Sequence, residues 1–429
     1  MIDTPSKSEA HRMTETPAKE PGTATGDLAS EFDLSDPKFI TDPEAGKRWL
    51  GGPRPVCRGK FADGSDVWVV TGHHDVRTVL GEPTLRSRPP GDSHRRSMLS
   101  RGIPEDIVDM FDSTLLTMDG ADHMRVRRLV TRALSARRML ALTPAVERVA
   151  QRLLDGLADK AEPDLIADYA HPLAIIVICE LLGVDEEYRE QWREWSETLA
   201  QALRPNPEQF APAVRGMARV TRELIAARRA EPRDDLISEL VQVHEEDSDR
   251  LSDDELTALA MVLVQAGHET VRNLVALGVF TLLRHPDQLE LLKNDPSLGS
   301  RAVAELVRHT APVKHTFRRF ATEPVDIGGV KVQPGEAIQV VLAAANRDPE
   351  VFEDPGRLDV TREHNPHLGF GRGAHYCLGA SLALIEGEVA LTALFGRFPD
   401  LALAVDPHEI DPPYLMSMQR LPVRLSPEV

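Results

Sequence analysis

A mainly helical α+β fold, with small β-sheets set between helical blocks, is what this 429-residue sequence predicts. Three observations lead there. Apolar and charged residues alternate with helical period from Asp122 to about Leu306, as in HMRVRRLVTRALSARRML (123–140) and AVERVAQRLLDGLADK (145–160). Two β-rich patches with turn residues stand apart: CRGKFADGSDVWVVTG (57–72) and VDIGGVKVQPGEAIQVVLAA (325–344). After the first 30 residues no low-complexity linker and no repeat interrupts the chain, so residues 31–429 read as a single domain. Residues 1–30, rich in Pro, Thr, Lys and Glu, read as a disordered tail.

Composition excludes several functions. Fifty basic against 68 acidic residues give a net charge of −18, which lacks the basic footprint of a nucleic-acid binder. The three cysteines, Cys57, Cys179 and Cys377, are far apart and lack metal-binding spacing, so neither a zinc site nor a disulfide framework is expected. The N-terminal stretch has no apolar core for a signal peptide. The longest apolar run, PLAIIVICELLGV (172–184), is too short for a membrane span and contains Glu180. A soluble cytoplasmic protein is expected, monomeric by default.

The chemistry concentrates in HLGFGRGAHYCLGASLALIEGE (367–388). Gly371 and Gly373 allow a sharp turn before Cys377, and Gly379 and Ala380 open a helix. A cysteine at a helix N-terminus sits where unpaired N–H groups and the positive dipole end favour a thiolate. Cys179, in an apolar helix, and Cys57, beginning a strand, read as structural.

Phe370-Gly371-x-Gly373-x-His375-x-Cys377-Leu378-Gly379 resembles, position by position, the haem-binding signature of the cytochrome P-450 family. The resemblance runs from about residue 35 to 425, with the family's motifs in order, and departs at Leu384, where many members carry Arg. It implies that family's fold, a triangular helical body around a buried haem, with Cys377 as the iron ligand. Phe370 would pack beside the thiolate, with His375 at a propionate. A thiolate ligand pushes electron density toward O2 and favours O–O cleavage.

Upstream, LTALAMVLVQAGHETVRNLVALGVFTLL (256–283) is an apolar helix interrupted by AGHET (266–270). Thr270 can turn its hydroxyl back to the carbonyl of Ala266 and loosen the helix. Leu263, Ala266 and Thr270 share a face. The segment resembles the family's distal helix, which places Ala266 and Gly267 against the haem. Glu269 and Thr270 then form the acid–alcohol pair that delivers protons in a dry site. Arg272, on another face, is expected to pair with an acid away from the iron. The resemblance also assigns Glu305, Arg308 and Arg357 to a buried structural triad. His123 and Arg127 of DHMRVRR, and Arg319 rather than Arg318 of TFRRFATE, are assigned to the propionates.

The function implied is a haem-thiolate monooxygenase that hydroxylates or epoxidises a small organic substrate, by family analogy a polyketide, macrolide or other secondary metabolite. Alternatives are a non-hydroxylating oxidase or peroxygenase on the same scaffold, and a non-catalytic haem sensor. The cofactor is haem b. No flavin or nicotinamide motif appears, so electrons come from outside, by resemblance from ferredoxin and ferredoxin reductase, with Arg125, Arg128 and Arg372 on the docking face. Pocket walls are expected from 85–117 (a polar, turn-rich lid), Leu263–Thr270, Val313–Phe317 with Lys314 and His315 adding polarity, and the segment around Met416.

Overall fold

Eight helices and nine short strands carry the parts that position the site. The helices are α1 (Gly120–Ala133), α2 (Thr143–Ala158), α3 (His171–Leu182), α4 (Glu186–Ala200), α5 (Pro207–Ala230), α6 (Asp253–Leu283), α7 (Gly299–Thr310) and α8 (Ala380–Arg397). The computed structural model describes residues 32–34, 55–61, 63–89, 91–100, 102–112, 114–200, 206–246, 251–410 and 417–426. The tail expected over 1–30 and the wall segment at Met416 lie outside the described residues.

The 31-residue α6 is the axis. Ser252 caps it reciprocally with Glu255: the Glu255 amide donates to the Ser252 hydroxyl (3.0 Å), and the Ser252 amide to the Glu255 carboxylate (2.7 Å). Such a helix, apolar nearly all round, has to be covered on several sides. The equally apolar α3 packs along it, α4 and α5 also lie against it, and α7 and α8 pack on it and on each other. Among the described residues no helix is long and apolar enough to cross a membrane.

The predicted hairpin at 57–72 forms as β1 (Val56–Lys60) and β2 (Asp66–Val70). They belong to a five-stranded sheet of order β1-β2-β7-β4-β3, with β3 at Leu85–Arg86, β4 at Arg319–Ala321 and β7 at Ala337–Val340. The second β patch therefore splits. β5 (Val325–Ile327) and β6 (Val330–Val332) make a hairpin of their own, while β7 leaves to pair in parallel with β2. Strands β8 (Ala402–Leu403) and β9 (Val423–Arg424) form a further two-stranded sheet.

Two expectations about pocket walls are corrected. The 85–117 stretch is not turn-rich throughout: it folds helices at Ser93–Ser100 and Glu105–Asp112, bridged where Arg95 pairs with Glu105 and Asp109, and it buries Ile107 and Val108. His315 meets the Phe32 ring edge-on at 5.7 Å, and burial pushes it down to about 3, so it is neutral and part of the packing.

Behind the site, Glu305 and Arg308 of α7 form a fully buried pair at 2.7 Å. Their partners close every valence. Arg308 donates to the carbonyls of Asn346 (2.9 Å), Pro355 (2.8 Å) and Arg357 (3.0 Å). Glu305 accepts from the Asp359 amide (3.0 Å), the Arg362 guanidinium (3.1 Å) and Asn365 (3.2 Å). The third side chain is thus Arg362, not Arg357. Arg357 contributes only its carbonyl, and its guanidinium turns outward to Asp359 at 2.9 Å, 63% exposed. Spacing alone could not separate the two arginines, because the turns between 353 and 362 decide which one points inward.

Arg362→Ala is expected to cost about 1–3 kcal/mol, because it removes a charge-assisted donor from a buried carboxylate that keeps only Arg308 and Asn365 on the same oxygen, whereas Arg357→Ala should stay within about 0.5 kcal/mol. Denaturant unfolding of the two variants checks this. A second prediction concerns Glu386 of α8, buried with its Oε2 unpartnered, whose carboxyl burial raises well above the usual range. The folded state holds that proton more tightly than the unfolded chain, so stability falls as pH rises above about 4.3, the unfolded value. Glu386→Gln is therefore expected to gain on the parent protein between pH 5.5 and pH 8, by at most about 1.4 kcal/mol per pH unit. A gap that stays constant with pH refutes it.

Candidate functional site

The Cys377 loop is shaped by its backbone. The Cys377 amide donates to the Phe370 carbonyl at 2.9 Å, closing the turn. Gly371 and Gly373 sit at φ 70° and 71°, and a Cβ on Gly373 would come within 2.4 Å of the Leu80 carbonyl. Gly379 precedes the first residue of α8, and its N–H reaches the thiol. Cys377 is open to solvent while protein surrounds it on most sides, which places it on the floor of a recess. Burial pushes its thiol up, against the opposing pull of the Gly379 N–H and Arg127. Helix geometry predicted a thiolate, but in the protein alone desolvation outweighs the helix terminus. Cys179 is buried in α3, its thiol pushed up to about 12, and Cys57 lies in β1. Phe370 is half-buried against the main core, 5.6 Å from the His367 ring.

On α6 the Thr270 hydroxyl donates to the Ala266 carbonyl at 2.6 Å, the local bond read from the sequence. In a helix whose Val262, Val264 and Val271 are buried, Leu263 and Thr270 are only half-buried and Ala266 is exposed. This stripe is left accessible along an otherwise buried helix. Gly267, four residues on from Leu263 and three before Thr270, lies on the same face and is half-buried as they are. A Cβ there would meet Ile178 of α3 at 3.1 Å, so Gly267 serves the close approach of two helices. Arg272 also differs from expectation, because the acid it pairs with is Glu269 itself (3.0 Å), and it donates further to the Met418 carbonyl (2.7 Å). The Ser417 hydroxyl adds a bond to Glu269 at 2.6 Å and Asn273 one at 3.4 Å. Sequence reading missed these partners of Glu269; the i,i+3 and i,i+4 spacings are the signal that could have found Arg272 and Asn273, while nothing local signals Ser417.

A polar cluster borders the Cys377 loop. The rings of His123 and His375 lie 4.2 Å apart. Arg127 donates to the Tyr376 carbonyl and Arg319 to the Ser87 hydroxyl, which is 3.4 Å from the His375 ring nitrogen. Asp119 accepts from the Ser87 amide at 2.8 Å and lies 3.7 Å from His375. Burial, then repulsion from His375 and Arg127, pushes His123 down to about 4, and its Nε2 has no partner although buried. Burial also lowers Arg127 and Arg319. Cationic and donor groups held together with one carboxylate among them suit anionic oxygens, and haem propionates supply those. Arg318 turns the other way, to Asp63 at 3.2 Å. Of the expected docking arginines, Arg125 is engaged by Glu255, while Arg128 and Arg372 are exposed.

The sequence model of the family described as Cytochrome P450 matches residues 184–295 and 298–426. The chain belongs to the cytochrome P450 family. The 6-deoxyerythronolide B hydroxylase of Saccharopolyspora erythraea is 42% identical over 400 residues, 92% of this chain and 98% of that one. The P450 monooxygenase PikC of Streptomyces venezuelae is 37% identical, over 90% of this chain and 92% of its own. The structure of PksS, the bacillaene polyketide synthase P450 of Bacillus subtilis, superposes with TM-score 0.83 at 34% identity, covering 92% of this chain and all of that one. This P450 is a monooxygenase, and its family carries haem on a cysteine thiolate.

The stripe on α6, the Cys377 recess and the unpartnered donor beside it fit that group. A propionate role for Arg319 and His123 would have a checkable consequence. Arg319→Ala and His123→Ala each remove a charge-assisted or buried bond worth about 1.5–3 kcal/mol. The haem-to-protein absorbance ratio after gel filtration is expected to fall in both and to stay at the parent value in Arg318→Ala.

Proposed function

We propose that this P450 oxygenates a polyketide, macrolide or related secondary metabolite, with haem b held by Cys377 and Thr270 and Glu269 delivering protons. The observation that carries the reading is the accessible stripe Leu263–Ala266–Thr270 within a buried helix, in a protein whose one recessed, accessible cysteine lies in the P450 loop. Two of the relatives above, one named as a 6-deoxyerythronolide B hydroxylase and one titled as a polyketide synthase P450, support the substrate class.

When bound, haem supplies O2 activation by two externally delivered electrons and the transfer of one oxygen atom. The chain's own residues do the rest. The apolar flanks of α6 and the half-buried Val313 keep bulk water from the recess. Thr270 holds a hydroxyl proton at its own carbonyl bond, 2.6 Å from Ala266, and can swing it toward the recess by rotating χ1. Glu269 lies one residue away but is clamped by Arg272, Asn273 and Ser417, so its carboxylate must loosen that clamp to carry a proton. His123, Arg127, Arg319 and His375 hold the propionates. Electrons come from ferredoxin and its reductase at the side of the Cys377 loop, where Arg128, Arg372 and Tyr376 are exposed.

The haem-loaded, reduced protein is expected to give a CO adduct with the red-shifted Soret band of a thiolate ligand, and a normal-position band would refute Cys377 as ligand. Thr270→Ala should keep that band yet divert electrons from product to hydrogen peroxide. Unchanged coupling in that variant removes the role given to Thr270.

A further inference from the structure

A cleft of about 640 Å³ opens between α2, α3 and α4, and Arg272 of α6 forms part of its lining. His171 lines it as well, and His268 of α6 lies against His171 with ring centroids 4.5 Å apart and the rings tilted by 53°. Both rings are more than nine-tenths buried. Three of their four nitrogens, His171 Nε2 and both of His268, have no hydrogen-bond partner in the protein, nor has Arg272 Nε. The fourth, His171 Nδ1, lies 3.5 Å from Glu197, a carboxylate that lines the cleft and is 45% exposed.

The fold brings His171 here by a local irregularity. Pro172 has no N–H to give to a preceding turn, and Ile166–Ala170 winds as a wide π-helical turn directly before His171. Burial pushes His171 down to about 3 and His268 to about 4, with Arg272 and Arg193 adding repulsion to both and Glu269 opposing it at His171. Each imidazole is therefore neutral, with one nitrogen donating and the other accepting. Buried polar atoms this poorly matched by protein take ordered water, and a polar cleft has room for it.

We propose that this cleft is a water-filled proton inlet to Glu269, with His171 and His268 as its relay. A proton arriving by way of Glu197 or bulk water is accepted at one ring nitrogen while the other nitrogen's proton leaves toward the next water or ring. A half-turn of the imidazole about its Cβ–Cγ bond then restores the starting arrangement, so each passage moves one proton and changes no other bond. Arg272 stands at the inner end, lining the cleft on one side and pairing with Glu269 on the other. The cleft would thereby replace the proton that Glu269 passes on, which rests on the role given to Glu269 above.

Two measurements on the haem-loaded enzyme decide it. A high-resolution crystal structure is expected to show ordered waters on the unpartnered nitrogens of His171 and His268, continuous with the cleft, and a dry histidine pair overturns the proposal. Ferredoxin-driven O2 consumption is then measured in light and heavy water. His268→Gln keeps size and polarity but cannot relay, and is expected to slow consumption several-fold and to enlarge the solvent isotope effect. His171→Ala should do the same and recover with millimolar imidazole, which the open cleft admits. CO-adduct spectra are expected to stay at parent values, which separates a relay defect from loss of the haem site. Parent-like rates and isotope effects in both variants, or a His171→Ala defect that imidazole does not relieve, overturn the relay. Either failure with an intact thiolate-type CO band leaves the monooxygenase reading standing, while loss of that band in the parent protein fails that reading and not the hydration of the cleft.

Discussion

The buried pair Glu305–Arg308 is the constraint on which the rest of the site hangs. Neither side chain touches solvent, so each must be fully matched or it becomes an uncompensated interior charge. Matching them recruits the carbonyls of Asn346, Pro355 and Arg357 and the polar groups of Asp359, Arg362 and Asn365, which ties the irregular segment before the Cys377 loop to a rigid helix. Asn346 extends the tie by accepting from the Leu368 amide at 2.7 Å, two residues from Phe370. A stretch with almost no regular secondary structure is thereby held firmly enough to present one cysteine in a fixed direction.

The distal helix solves a different problem. An apolar helix excludes water, yet the chemistry calls for protons. The polar residues of AGHET are divided by direction. Thr270 stays with the accessible stripe and spends its hydroxyl on its own helix, while Glu269 turns to Arg272 and Ser417. His268 points to a third side, onto His171. Gly267 permits α3 to come close enough for that contact. One helical turn thus serves the recess, the acid clamp and the packing of its neighbour.

Electrostatics in this acidic protein are local. The net charge of −18 says nothing about the few cubic nanometres beside Cys377, where His123, Arg127, Arg319 and His375 gather around Asp119. Burial and the repulsion from His375 and Arg127 depress His123, and an anion placed among these groups would offset that repulsion.

Much of this was legible in the residues. Periodicity marked the helices, turn residues marked the hairpins, and the Thr270–Ala266 bond follows from one side chain and its own helix. The fixed loop spacing singled out Cys377 from three cysteines. Other features depended on how distant segments meet, which local pattern does not encode. Arg362 displaced Arg357 because the turns after Asp354 choose which arginine faces Glu305. Ser417 reached Glu269 across 148 residues, and His171 reached His268 only because a π turn and the packing of two helices aligned them. Even the state of the Cys377 thiol belonged to the tertiary structure. A helix terminus favours the anion, but the depth of the recess sets the desolvation that opposes it, and depth is a property of the assembled chain.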